Sequence, residues 1–304
     1  MYFRPAATRR LLILLLPCVL TALPVLAQKT ASRDGKKSNK EICITFDELP
    51  AARSFGEVDR QAVNYLILDA LKRHKVKAAG FIVGEGIEDS FDILGQWLND
   101  GHTLGSMTFT NQDYNYIGIE AFIEDIRRGI ATIEPMLSGF GQKKRYFRYP
   151  YLHYGTTVEG KKQAALFLAD QNVAVVHATV IPEDYLYNLS LDKLGKVPDS
   201  AAFDKLLNEY INHVLDELER MERLALDLVK RPVRHILLLR ANRLNAVYLD
   251  ELLGALENAG YKFITLDRAL QDKVYSRREA YYGLKGLGYL DMIANSNPDL
   301  LPAE

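Results

Sequence analysis

Two periods of apolar spacing take turns along this chain from residue 42 onward. Short runs rich in β-branched and aromatic residues read as buried strands: ICITF at 42–46, AAGFIVG at 78–84 and RYFRYPYL at 145–152. VAVVHATV at 173–180, HILLL at 235–239 and KFITL at 262–266 follow the same rule. The stretch GHTLGSMTFTN, opening at Gly101, supplies one more strand, third in order. Between these runs apolar residues recur at helical spacing. Val63, Leu66, Ile67, Ala70 and Leu71 share one stripe of 59–75, and Leu206, Tyr210, Val214, Leu218, Met221 and Leu228 share one stripe of a long helix over 201–231. Further helices are expected over 91–100, 118–137, 157–171 and 245–260.

Seven strands separated by helices predict a parallel α/β arrangement. No glycine-rich phosphate loop follows the first strand, so barrel-like closure leads over a doubly wound open sheet. Polar residues stand just after the strands: Asp47 and Glu48, Thr108 to Asn111, Arg148 and Tyr151, Asp184, and Arg240. In α/β barrels the C-terminal strand ends carry the site, so separate segments delivering polar groups to one face predict a cleft there.

Composition narrows the partners. The 304 residues are 48% hydrophobic and 25% charged with a net charge of -1, so neither nucleic acid nor an anionic membrane surface is suggested as a partner. Arg4, Arg9 and Arg10 precede an apolar run from Leu11 that ends at Val25-Leu26-Ala27. Residues 1–27 therefore read as a signal peptide, 28–40 as a polar linker, 41–275 as the main domain and 276–304 as a C-terminal extension. Periplasmic or secreted localisation follows, with no stable membrane span after cleavage; a retained anchor is the alternative, disfavoured by Pro17 and Pro24. Cleavage would leave Cys43 alone in its strand, as a buried thiol with no disulfide partner.

The motifs around the strand ends resemble those of the polysaccharide deacetylase family, carbohydrate esterase family 4, also called the NodB-homology domain. ITFDELP (44–50) is similar to its aspartate-pair motif, GHTLGSMTFTNQD to the frame of its histidine-pair motif, and FRYPYL (147–152) to its arginine-proline-tyrosine motif. PEDY (182–185) is similar to its aspartate-tryptophan motif, and ILLLRANRLNA (236–246) to its last, histidine-bearing motif. The resemblance covers about 41–270 with every motif in order. It implies a distorted (β/α)7, TIM-like barrel that hydrolyses N-acetyl groups from an amino-sugar polymer with a divalent metal, zinc. It also implies the roles. Asp47 stands at the base position, Glu48 at the metal-aspartate position, Met107 and Asn111 at the two metal-histidine positions, and Arg240 at the acid-histidine position. Arg148 and Asp184 join the catalytic set, while Tyr151 and Tyr185 face substrate, a carbohydrate containing N-acetylated sugars.

Those substitutions change the chemistry. A catalytic zinc takes three protein ligands and keeps one position for water; a methionine thioether and a neutral amide do not replace two imidazoles. Zinc is accordingly expected to be absent or weakly held. Unbound water then keeps a pKa of ~15.7 rather than the ~7 reached on zinc, and a guanidinium cannot deliver a proton at neutral pH. Arg240, with Arg148, is instead expected to neutralise Asp47 and Glu48. Met107 reads chiefly as packing, Asn111 as a loop-capping amide or a sugar hydrogen-bonding group, His102 and His177 as structural, and His153 as a loop residue beside the cleft. The expectation is an inactive or weakly active exported deacetylase-like protein. Its alternatives are an active hydrolase with an altered metal site and a non-catalytic envelope interaction protein.

Overall fold

The computed structural model describes residues 40–52, 59–195 and 200–301. The signal peptide and nearly all of the linker expected from sequence lie outside the described residues. Among those described, no helix is long and apolar enough to cross a membrane.

The strands are β1 (Glu41–Leu49), β2 (Ala79–Ile82), β3 (Thr103–Ser106), β4 (Arg145–Phe147), β5 (Val173–Val175), β6 (Arg234–Arg240) and β7 (Lys262–Phe263). The helices are α1 (Arg60–Arg73), α2 (Phe91–Asn99), α3 (Tyr114–Ile117), α4 (Ile119–Gly139), α5 (Val158–Asp170), α6 (Asp184–Lys193), α7 (Ser200–Val229), α8 (Arg243–Asn258), α9 (Leu266–Leu270) and α10 (Tyr289–Ala294). Every strand pairing is parallel, in the order β5-β4-β3-β2-β1-β6, with β7 added to the start of β1. The open edges meet through the chain that leaves β5. Val180 bridges Leu237 of β6, and the Leu238 N–H donates to the Val180 carbonyl at 3.0 Å. One extended segment thus pairs with β4 at its start and β6 at its end, and the sheet closes into a distorted barrel.

Several expected strands are shorter than their apolar runs. The third ends at Ser106, so Met107 to Asn111 form the loop after the strand rather than the strand itself. Thr108 and Asn111 adopt positive φ, 61° and 55°, a backbone that a ladder does not accept. The fourth ends at Phe147 because a turn at Pro150–Leu152 follows, and the last covers only Lys262–Phe263 because Thr265 caps α9. The helices lie close to expectation because their caps are in place. The Asp59 carboxylate accepts from Ala62 N–H ahead of α1, and the Thr157 hydroxyl from Gly160 N–H ahead of α5. Helix α6, which starts on Asp184, carries too few apolar residues at helical spacing to be read from sequence.

Period-2 alternation divides the buried residues. Ile42, Ile44 and Phe46 of β1 join the large cluster under the helices, whereas Cys43 joins Ala79, Phe81, Met107, Tyr146, Val176 and Ile236 in a smaller one. Met107 is therefore a packing residue as well as a cleft residue.

Two buried histidines, His102 and His235, and the half-buried His177 give the fold an acid sensitivity. Burial pushes His102 down to about 4, His235 to about 4 and His177 to about 3. Their folded pKa values lie below the ordinary 6.5, so their stabilisation is complete above that value and is lost as pH falls toward the folded pKa. The urea midpoint is expected to drop between pH 6.5 and 4, and less steeply in His102→Gln. An equal slope in that variant would remove His102 from the account.

Candidate functional site: an ion-paired cleft at the strand ends

Chain geometry at the end of β1 turns two consecutive acids in different directions. Asp47 is still in the ladder opposite Arg240, and Glu48 adopts φ of 63°. Asp47 is buried, and its Oδ1 accepts from Arg148 Nη1 at 2.9 Å. Arg148 also donates to Thr45 Oγ1 at 2.8 Å and to the Val176 carbonyl at 3.2 Å, with its guanidinium 4.3 Å from the Phe81 ring centroid. Burial pushes the Asp47 carboxyl up to about 6, against the opposing pull of Arg148 and Arg240.

Glu48 points to a different cation. Its Oε1 accepts from Arg240 Nε at 3.2 Å, while Arg240 Nη1 donates to Asp184 Oδ1 at 2.7 Å. The Arg240 backbone N–H donates to Asp184 Oδ2 at 2.7 Å, and Asn245 Nδ2 donates to the same oxygen at 2.6 Å. Asp184 is 1% exposed, which makes this network the main polar anchor behind the cleft. Burial alone would lower the Arg240 pKa, but the Asp184 and Glu48 carboxylates raise it further than burial lowers it. The guanidinium stays charged and lies 5.0 Å from the Tyr185 ring centroid.

The loop after β3 supplies the third wall. Asp125 of α4 holds it, accepting from the Thr110 N–H at 3.0 Å and the Thr110 hydroxyl at 2.8 Å. Gly129 of the same helix lets the loop approach, since a Cβ there would lie 2.4 Å from the Thr108 carbonyl carbon. Asn111 is 6% exposed, and its Oδ1 is buried with no hydrogen-bond donor.

A cavity of about 630 Å³ gathers these pieces. Asp47, Glu48, Met107, Asn111, Tyr151, Tyr185 and Arg240 all line it. Arg148 and Asp184 stand behind the lining, reaching the cleft through Asp47 and Arg240. His153 lines it too, with Nδ1 2.7 Å from Asp113 Oδ1. His102 and His177 lie elsewhere. His102 Nδ1 accepts the Ala78 N–H at 3.0 Å, and His177 stacks on Tyr289 at 4.1 Å. Sequence reasoning missed Asn242, which lines the cleft as the cap of α8, and Lys285 and Gly286 from the C-terminal segment. The asparagine between a strand and a helix carried a capping signal; the lysine carried none.

The fold and this site define an α/β barrel protein with a polar cleft at the C-terminal strand ends. Residues 34–167 match the polysaccharide deacetylase family model, so that part of the chain is similar to this family. It is 27% identical over 151 residues to a peptidoglycan-N-acetylglucosamine deacetylase of Bacillus cereus, covering 50% of this chain and 48% of that protein. Over 238 residues it is 23% identical to the peptidoglycan-N-acetylglucosamine deacetylase PgdA of Listeria monocytogenes, covering 78% of this chain and 40% of that protein. The chain thus spans half or less of the length of these relatives. Among solved structures, a CE4 family pseudoenzyme from Bacillus anthracis superimposes with a TM-score of 0.53 at 16% identity, over 77% of this chain and 66% of that one. A peptidoglycan N-acetylglucosamine deacetylase gives 0.53 at 22% identity, over 76% and 88%. These likenesses support the fold.

Family members generally use a divalent metal. The residues here do not fit zinc. Among the described residues no group of three or more His, Cys, Asp or Glu side chains could hold an ion. The implied positions offer a thioether, a neutral amide, and a carboxylate already paired with a guanidinium. A fixed cation beside Glu48 would also repel an incoming dication.

Proposed function

We infer that this chain is an exported, glycan-binding member of the polysaccharide deacetylase family that has lost the hydrolytic centre. One observation carries the reading: the Arg240 guanidinium bridges Glu48 and Asp184 in the cleft. That cation occupies the acid-histidine position of the family motif and takes up the one convincing metal carboxylate. Neither metal-activated water nor a proton donor for the leaving amine is then available from these residues.

What remains suits binding. The Tyr151 and Tyr185 rings, 51% and 41% exposed, flank the cleft and offer faces for sugar rings. The Asn111 amide carries an acceptor without a donor, and an acetamido group supplies the complementary N–H. The ligand class is an oligosaccharide containing N-acetylated sugars, in keeping with the names of the relatives. Export follows from the amino-terminal pattern of arginines, apolar run and small residues.

Acetate release from N-acetylglucosamine oligomers tests this. The wild type is expected to bind the oligomers in calorimetry and to release no acetate with or without added zinc. A Met107→His, Asn111→His, Arg240→His variant is expected to bind zinc stoichiometrically and to gain acetate release. Metal-dependent release by the wild type would overturn the reading in favour of an altered but working metal site.

A further inference from the structure

Part of the cleft wall comes from outside the strand–helix repeat. The segment from Glu279 to Tyr289 crosses the rim and is fastened at both ends. Glu279 ion-pairs with Lys161, whose Nζ also donates to the Tyr281 carbonyl at 3.0 Å. At the other end the Tyr289 N–H donates to the Ala178 carbonyl at 2.7 Å, and its ring stacks on His177. Between these anchors Asn115 Nδ2 donates to the Leu284 carbonyl at 3.1 Å, and the Tyr281 hydroxyl donates to the Lys285 carbonyl at 3.0 Å. Gly286 lies so close to the turn carrying Tyr151 that an added Cβ would stand 2.0 Å from the Tyr151 carbonyl oxygen. The backbone of Lys285 is therefore held in a fixed place beside Tyr151.

The charge of Lys285 is uncommitted. Arg148 is taken up by Asp47, and Arg240 by Glu48 and Asp184. Among the described residues no carboxylate lies within ion-pair distance of the Lys285 ammonium, although the residue lines the cleft. A lysine anchored through its backbone, without an ion-pair partner among the described residues and in a cleft also lined by the exposed Tyr151 ring, is arranged for an anionic sugar. Glu48 and Glu183 line the same cleft, so a densely anionic polymer would be repelled and an isolated carboxylate suits it better.

We propose that this rim is a subsite for a carboxylate-bearing sugar, with the ring stacked on Tyr151 and the carboxylate paired with Lys285. The neighbouring N-acetylated sugar enters the inner cleft, so the proposal rests on the glycan-binding reading above. It assigns the C-terminal segment a role in choosing the ligand, separate from the residues of the family motifs.

Calorimetry with three tetrasaccharides tests it: N-acetylglucosamine alone, N-acetylglucosamine alternating with N-acetylmuramic acid, and the latter with its carboxylates methyl-esterified. The wild type is expected to bind the acidic form about 10-fold more tightly than the ester at low salt. The ratio should shrink in 0.5 M salt, where an exposed pair is screened, and collapse toward one in Lys285→Gln. A ratio of one in the wild type, with binding of all three sugars, overturns the subsite and leaves the glycan cleft standing. A ratio that survives in Lys285→Gln also overturns it. Binding of none of the three overturns both readings.

Discussion

Arg148→Met is expected to destabilise the protein by about 3–5 kcal/mol, the usual cost of removing one partner of a buried ion pair. Arg148 is fully buried and crosses the barrel interior, tying Thr45 and Asp47 of β1 to the Val176 carbonyl beyond β5. Methionine fills much of the volume but leaves Asp47 buried without a cation and two oxygens without donors. No discount for solvent screening applies, because the pair is 0% and 4% exposed. The unpartnered Nη2 of Arg148 offsets a little of the loss, since its burial is itself unfavourable. Chemical unfolding at pH 7 measures the change. Adding Asp47→Asn should recover part of it, because the stranded charge is the larger share of the cost. A single variant as stable as the wild type would mean that the pair contributes nothing net.

Arg240→Met comes next, with an expected cost of about 3 kcal/mol. The figure sits at the low end because Arg240 and Glu48 are 20% and 17% exposed, and water can partly replace the lost donor to Glu48. Asp184 has no such relief at 1%, although Asn242 and Asn245 still donate to it. For a domain of this size the melting temperature should fall by roughly 6–12 °C. Arg240→Met combined with Asp184→Asn should regain stability, whereas the same variant combined with Glu48→Gln should regain less. An unchanged melting temperature in the single variant would refute the idea that Arg240 provides the positive charge that the cleft needs.

How much of this was legible beforehand differs from element to element. Helices α1, α5 and α7 were readable because an amphipathic stripe and, for α1 and α5, a capping side chain are written into consecutive residues. The strand ends were less so. The run after β3 is apolar enough to suggest a longer strand, yet Thr108 and Asn111 turn it into a loop, and φ is set by what the loop packs against. Gly129 and Asp125 on α4 make that packing possible, and neither is local to the loop.

The site divides along the same line. Sequence order and strand context placed Asp47, Glu48, Met107, Asn111 and Arg240 together, and the cavity holds all five. Which acid meets which arginine could not be read from order. Asp47 pairs with Arg148, 101 residues away, and Glu48, at a positive φ, with Arg240, 192 residues away. Lys285 shows the limit most clearly, as nothing in a tyrosine-rich tail signals a cleft residue.

The sequence by itself determined the parallel α/β architecture, which follows from periodicity, a property of consecutive positions. Its motif order also carried the resemblance to the deacetylase family that marked Asp47, Glu48, Met107, Asn111 and Arg240 as candidate cleft residues. The tertiary structure alone decided the pairing of charges, the unsatisfied amide of Asn111 and the delivery of Lys285 to the rim. Each depends on groups brought together across the barrel, where burial sets the cost of every charge and no local pattern records the partner.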